Sequence, residues 1–163
     1  MAIDPRDFRK VLSTYPTGVC VITALGPDRD PLGLVVGSFT SVSLDPPLVG
    51  FLPARTSYTW PKIMAAEHFC VNILGSDQRD VCDRLAAKGT AKFAGIDYSL
   101  SVHDLPIISG ALASLECSLY SVTEAGDHWF VMGAVMNMEA RRDGDPMLFH
   151  RGRYGGFTDQ LAA

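Results

Sequence analysis

The sequence predicts a mainly β fold, an antiparallel barrel carrying two or three helices. Many short β-branched or apolar runs recur, clusters of Gly, Pro and Asp separate them, and only a few stretches show helical spacing. With 163 residues, 47% of them hydrophobic, the chain suits one domain over 1–163 that buries about two thirds of its unfolded surface.

Taken in order, Asp4 is a helix N-cap with Pro5 at the first helical position, and Phe8, Val11 and Leu12 form one apolar stripe toward Tyr15. Pro16-Thr17-Gly18 stops that helix, and 19–24 is a β-branched strand followed by the turn-rich 26–31. Residues 33–51 organise the rest. They begin as an apolar run, become polar at Ser38, Thr40, Ser41 and Ser43, break at Asp45-Pro46-Pro47 and resume as apolar 48–52. A small polar patch enclosed by core strands is expected there; the alternative is a barrel strand whose small residues fit a crowded corner.

The loop 53–57 leads to a helix over 57–66, with Ser57 as N-cap and Trp60, Ile63 and Met64 sharing a face despite Pro61. A strand over 69–74 follows, then a helix opened by Ser76-Asp77 with Val81 and Leu85 on one side. Residues 86–110 are assigned as connection with short strands. Two long strands, 111–124 and 128–139, form a hairpin about the turn at 125–127, and a short strand at 146–150 precedes a Gly-rich tail.

Composition excludes several functions. A net charge of −4 offers no basic stripe for nucleic acid, and no run approaches the ~20 apolar residues of a membrane helix, so a cytoplasmic protein without membrane partners is expected. Cys20, Cys70, Cys82 and Cys117 lie far apart without Cys-x-x-Cys spacing and read as buried free thiols. Dinucleotide-fold, phosphate-loop, zinc-protease and nucleophile-elbow motifs are absent. His68, His103, His128 and His150 lack metal-ligand spacing, so no metal is expected.

Thr17-Gly18-Val19, the stretch Ser38-Phe39-Thr40-Ser41-Val42-Ser43-Leu44-Asp45-Pro46-Pro47-Leu48-Val49, Phe69 to Leu74, Gly126-Asp127-His128 and Pro146 to Phe149 occur in the order seen in short-chain flavin reductases. The chain resembles that flavin-binding split-barrel family, which includes reductase components of two-component monooxygenases, over about 8–157. The resemblance implies a homodimer of split β-barrels that uses NADH or NADPH to reduce FMN or FAD for a separate oxygenase. It implies flavin contacts from Gly37, Ser38, Phe39, Thr40, Ser41, Val42 and Ser43, since backbone amides and hydroxyls match the alternating acceptors and donor of an isoalloxazine edge. Arg55, Thr56, Ser57 and Thr59 are expected at the flavin phosphate, with Lys92 and Phe93 nearby. An ordinary solvated cation is the alternative for Arg55. Val35 and Gly37 stand where many relatives carry Thr and, two residues later, Asn, which removes two side-chain partners from the flavin.

His128 is expected near the nicotinamide as an orienting group; the alternative is a hairpin residue bonded to Asp127. Arg151 and Tyr154 resemble the family's C-terminal segment over the cofactor, although Gly-rich tails are often mobile. A second function class stays open, a non-catalytic flavin- or haem-binding split-barrel sensor or carrier.

Overall fold

The computed structural model describes residues 3–87, 89 and 92–159. Its strands are β1 (Thr17–Gly18), β2 (Cys20–Leu25), β3 (Pro31–Val36), β4 (Thr40–Leu44), β5 (Pro47–Phe51), β6 (His68–Ile73), β7 (Tyr98–Leu100), β8 (Pro106–Ile108), β9 (Ala113–Ala125), β10 (His128–Ala140), β11 (Leu148–His150) and β12 (Arg153–Gly155). The helices are α1 (Pro5–Leu12), α2 (Trp60–Ala65) and α3 (Arg79–Ala86). Seven strands make one antiparallel sheet in the order β3-β2-β6-β9-β10-β5-β4, with β3 and β4 as its open edges. This is a split barrel.

Both faces of the central strands are covered, which is why 20–24 is apolar apart from Thr23 and buried throughout. One face holds Ile22, Val36, Phe51, Phe69, Val71 and Val131, closed by Trp60 and Ile63 of α2. Phe51 makes edge contacts with both Trp60 and Phe69, at 5.6 and 5.4 Å between ring centres. The other face packs Val19, Val21 and Leu74 under Cys82 and Leu85 of α3. All four cysteines are buried and free.

Asp4 caps α1 as expected, accepting from the Arg6 amide at 2.7 Å, but none of the helix is buried and its Phe8, Val11 and Leu12 stripe faces outward. α2 is shorter than expected. It begins at Trp60 with Thr59 at the cap position, and Ser57 acts two residues before that cap, its Oγ accepting from the Trp60 amide at 3.1 Å. Met64 turns outward from the face shared by Trp60 and Ile63. The C-terminal residues form a hairpin, β11 with β12, that pairs with β1 rather than trailing as a loose tail.

The hydroxyl-rich stretch departs most from expectation. β4 is a sheet edge with nearly all its residues exposed, so no core strand encloses its hydroxyls. Its partner β5 is the buried strand of that hairpin.

Candidate functional site

The ladder between β5 and β10, with Phe51 opposite Val131, continues past the end of β5 and ties the following loop to the β9–β10 turn. The Trp129 amide donates to the Pro53 carbonyl and the Arg55 amide to the Asp127 carbonyl, both at 2.9 Å, and Ala54 bridges to His128. Two segments far apart in sequence, the Arg55 loop and the Gly126-Asp127-His128 turn, therefore lie side by side. His128 Nδ1 is 2.7 Å from Asp127 Oδ1, and this hydrogen bond holds the Asp127 carboxyl below the usual carboxylate range. The contact expected of a hairpin residue is thus present, yet the half-exposed ring keeps Nε2 without a partner among the described residues.

Beside this loop lies a cleft of about 430 Å³ lined by Leu34, Thr56, Ser57, Tyr58, Thr59 and Lys92, with Ala86, Ala87 and Gly89 on its far wall. The Thr56 and Thr59 hydroxyls and the amides of Thr56, Tyr58 and Thr59 have no hydrogen-bond partner among the described residues. Lys92 donates to the Leu85 carbonyl at 3.1 Å, leaving two ammonium protons, and burial pulls its pKa below the ordinary lysine value. Hydroxyls, free amides and one partly desolvated ammonium converge as the donor set a phosphate ester requires, so these residues fit the flavin phosphate.

Arg55 is not part of that set. Its guanidinium lies 5.1 Å over the Trp129 ring and its Nη1 is 3.5 Å from Glu124 Oε2, which directs it onto the hairpin and away from the cleft lining. The cation of the cleft is Lys92.

Along the hydroxyl stretch, Ser38 accepts from the Leu52 amide at 2.9 Å and Thr40 donates to the Ser41 carbonyl at 3.2 Å. Phe39, Ser41 and Ser43 line an open groove of about 610 Å³ whose other walls are mostly apolar, including Leu44, Val49, Leu115 and Met138. Val42 turns to the opposite side, beside Gly50 and Phe130. A Cβ on Gly37 would sit 2.9 Å from Thr17 Oγ1, so the threonine already fills the space that a side chain at 37 would take. That hydroxyl has no hydrogen-bond partner among the described residues. Thr17 belongs to the Thr17-Gly18-Val19 motif that carries the resemblance, but its approach to Gly37 depends on tertiary packing and leaves no signal in the sequence.

The remaining expected residues do not converge on the cleft. Phe93 packs its ring against Tyr98 and the backbone of Gly33 as part of the second core. Tyr154 is half-buried, with Arg79 4.1 Å over its ring; its hydroxyl bonds Cys82, and that bond together with burial pushes its pKa up to about 12. Arg151 is exposed, and its amide donates to the Ser13 carbonyl at 3.1 Å. The hairpin carrying both residues nevertheless reaches the site's border, because Phe149 pairs with Thr17.

The chain is thus an open antiparallel split barrel with a donor-lined cleft beside the loop that is stitched to the half-exposed imidazole of His128. The chain belongs to the flavin reductase like domain family, whose pattern matches residues 12–158. It is 54% identical over 157 residues to a flavin reductase of Pseudomonas putida, covering 96% of this chain and 92% of that protein. It is 45% identical over 155 residues to the reductase subunit of a flavin-dependent monooxygenase from Rhodococcus jostii, covering 95% and 79%. Among solved structures, the NADH:FAD oxidoreductase of Streptomyces globisporus in complex with NAD and FAD fragments superposes with a TM-score of 0.89 at 33% identity, over 98% of each chain.

Proposed function

We propose that this chain is an NAD(P)H:flavin oxidoreductase that reduces FMN or FAD and supplies the reduced flavin to a separate monooxygenase, working as a homodimer. The observation that carries the reading is the stitched loop: a backbone ladder from Pro53 to Arg55 holds His128, and the free donors of Thr56, Tyr58 and Thr59 follow directly on its last rung. Relatives that act as a monooxygenase's reductase subunit and as an NADH:FAD oxidoreductase support it.

In this reading Thr56, Thr59, the free amides and Lys92 hold the phosphate, and the backbone of Gly37 and Ser38 with the Thr17 hydroxyl meets the ring edge. Bound flavin supplies the hydride acceptor. His128 offers Nε2 to the nicotinamide while Asp127 fixes the orientation of the imidazole, because hydride transfer between two rings depends on alignment more than on an acid or base.

The test follows NADH and NADPH absorbance in the presence of FMN, FAD or riboflavin. Consumption of at least one nicotinamide with at least one flavin is expected; no consumption in any combination would leave the passive flavin- or haem-binding carrier.

A further inference from the structure

Helix α1 is capped but unpacked. None of its residues is buried, and Phe8, Val11 and Leu12, with Tyr15 just beyond them, put an apolar stripe into solvent; Val11 is 66% exposed and Tyr15 73%. A helix of 8 residues is marginal in water and takes most of its stability from the face it packs. Here Asp4 caps one end, and the Arg151 amide, donating to the Ser13 carbonyl at 3.1 Å, ties down the other. Thr17 then pairs with Phe149, so a chain's own α1 stays beside the β11–β12 hairpin. The open groove of about 610 Å³ along β4, β5 and β10 is apolar in the same way, with Leu44, Val49, Leu115, Val135, Met136 and Met138 in its walls. No residue of α1, β11 or β12 lines it.

We infer that α1 of one copy seats its apolar stripe in this groove of a second copy, each chain giving its helix and receiving the other's. The inference rests on the homodimer of the reading above and names its contact. Charge matches shape. Over Pro5–Leu12 the cations Arg6, Arg9 and Lys10 stand against Asp7 alone, in a chain whose net charge is −4. Arg9 and Lys10 form no salt bridge among the described residues. In the groove, Leu44 and Met138 are each followed by an exposed carboxylate, Asp45 and Glu139, the latter also 2.6 Å from Arg141. An apolar helix edged with cations therefore meets an apolar groove with acidic ends. Used once, such a contact leaves a helix and a groove open for further copies; used twice about a twofold axis, it closes. Ser41 and Ser43 line the same groove, so the seated helix also completes the wall that carries two expected flavin contacts.

Cross-linking and dilution test the contact. All four native cysteines are buried, so cysteines introduced at the surface react in their place. Chains carrying Val11→Cys and chains carrying Met138→Cys, mixed, left to exchange subunits and treated with a short bismaleimide, are expected to give a covalent dimer containing one chain of each kind. Val11 is not buried in its own chain, so Val11→Asp spares the monomer's core. That variant is expected to raise the dimer dissociation constant at least about tenfold, read by light scattering over a dilution series. A dimer that yields no mixed cross-link, or whose dissociation constant ignores Val11→Asp, would overturn the inference while leaving the homodimer intact. A wild-type chain that is monomeric at micromolar concentration would overturn both.

Discussion

At the scale of single residues, the division of labour between two cations is the main outcome. Lys92→Ala should weaken FMN and FAD relative to riboflavin by about 1.5–3 kcal/mol, the value of a hydrogen bond to a charged group, as read by fluorescence titration. Arg55→Ala should weaken all three flavins alike, since its guanidinium braces the hairpin through Trp129 and Glu124. The Lys92 ammonium also sets a pH dependence. Its pKa lies below the ordinary lysine value because of burial, so as pH rises the charge is lost earlier than that of an exposed lysine. FMN affinity should therefore decline at a lower pH than ordinary lysine titration would produce, and riboflavin affinity or Lys92→Ala should not follow it. His128→Ala should cost ~10- to 100-fold in kcat/KM for the nicotinamide, about 1.4–2.7 kcal/mol, with flavin binding preserved; unchanged stopped-flow reduction would reduce His128 to a hairpin residue.

At the scale of elements, strand pairing supplies what side chains alone do not. A Cβ on Gly133 of β10 would come within 2.5 Å of the Phe69 ring, which Phe51 pins from another direction. Gly133→Ala should cost about 1–3 kcal/mol by overpacking, measured as a lower midpoint in thermal or urea unfolding. On the outer face, buried Glu116 of β9 accepts from Ser101 at 2.7 Å and Asn137 at 2.9 Å and lies 2.6 Å from His103 Nδ1, fastening the 101–105 loop to the sheet. Burial pushes the Glu116 carboxyl up, but those three hydrogen bonds outweigh it and hold the group below the usual value. Its stabilisation is thus present above the unfolded carboxylate pKa and fades as pH falls through the lower folded value. Glu116→Gln should flatten the acid limb of the stability-against-pH curve, and Glu116→Ala should destabilise at neutral pH by a few kcal/mol, about 2–4, because three donors lose their acceptor.

At the scale of the whole molecule, the two hairpins about 26–31 and 125–127 were legible because alternation and turn residues are local, whereas the order of strands in the sheet was not, since it depends on pairing between distant segments. The cleft was half legible. Thr56, Thr59 and Lys92 carry their chemistry in their identities, whereas the direction of the Arg55 side chain depends on Glu124 and Trp129, which only β10 pairing brings near. Phe93 and Tyr154, which the resemblance puts near the cofactor, pack their rings against Tyr98 and under Arg79, contacts that only the tertiary fold brings together. The exposure of β4 was hidden because edge position depends on what fails to pair beyond it. Its groove carries Leu44 at 91% exposure and Met138 at 72%, the apolar surface expected to be covered in the proposed homodimer. Light scattering should give twice the chain mass, and Leu44→Asp with Met138→Glu should halve it; a fully active monomer would refute that assembly. The amide protons of Arg55 and Trp129, each closed on a carbonyl of the other segment, also have a kinetic meaning. Neither can exchange with deuterated water unless loop and turn separate, so their protection factors should move together. Flavin and nicotinamide, added singly, should slow the same two protons from opposite sides of one stitch.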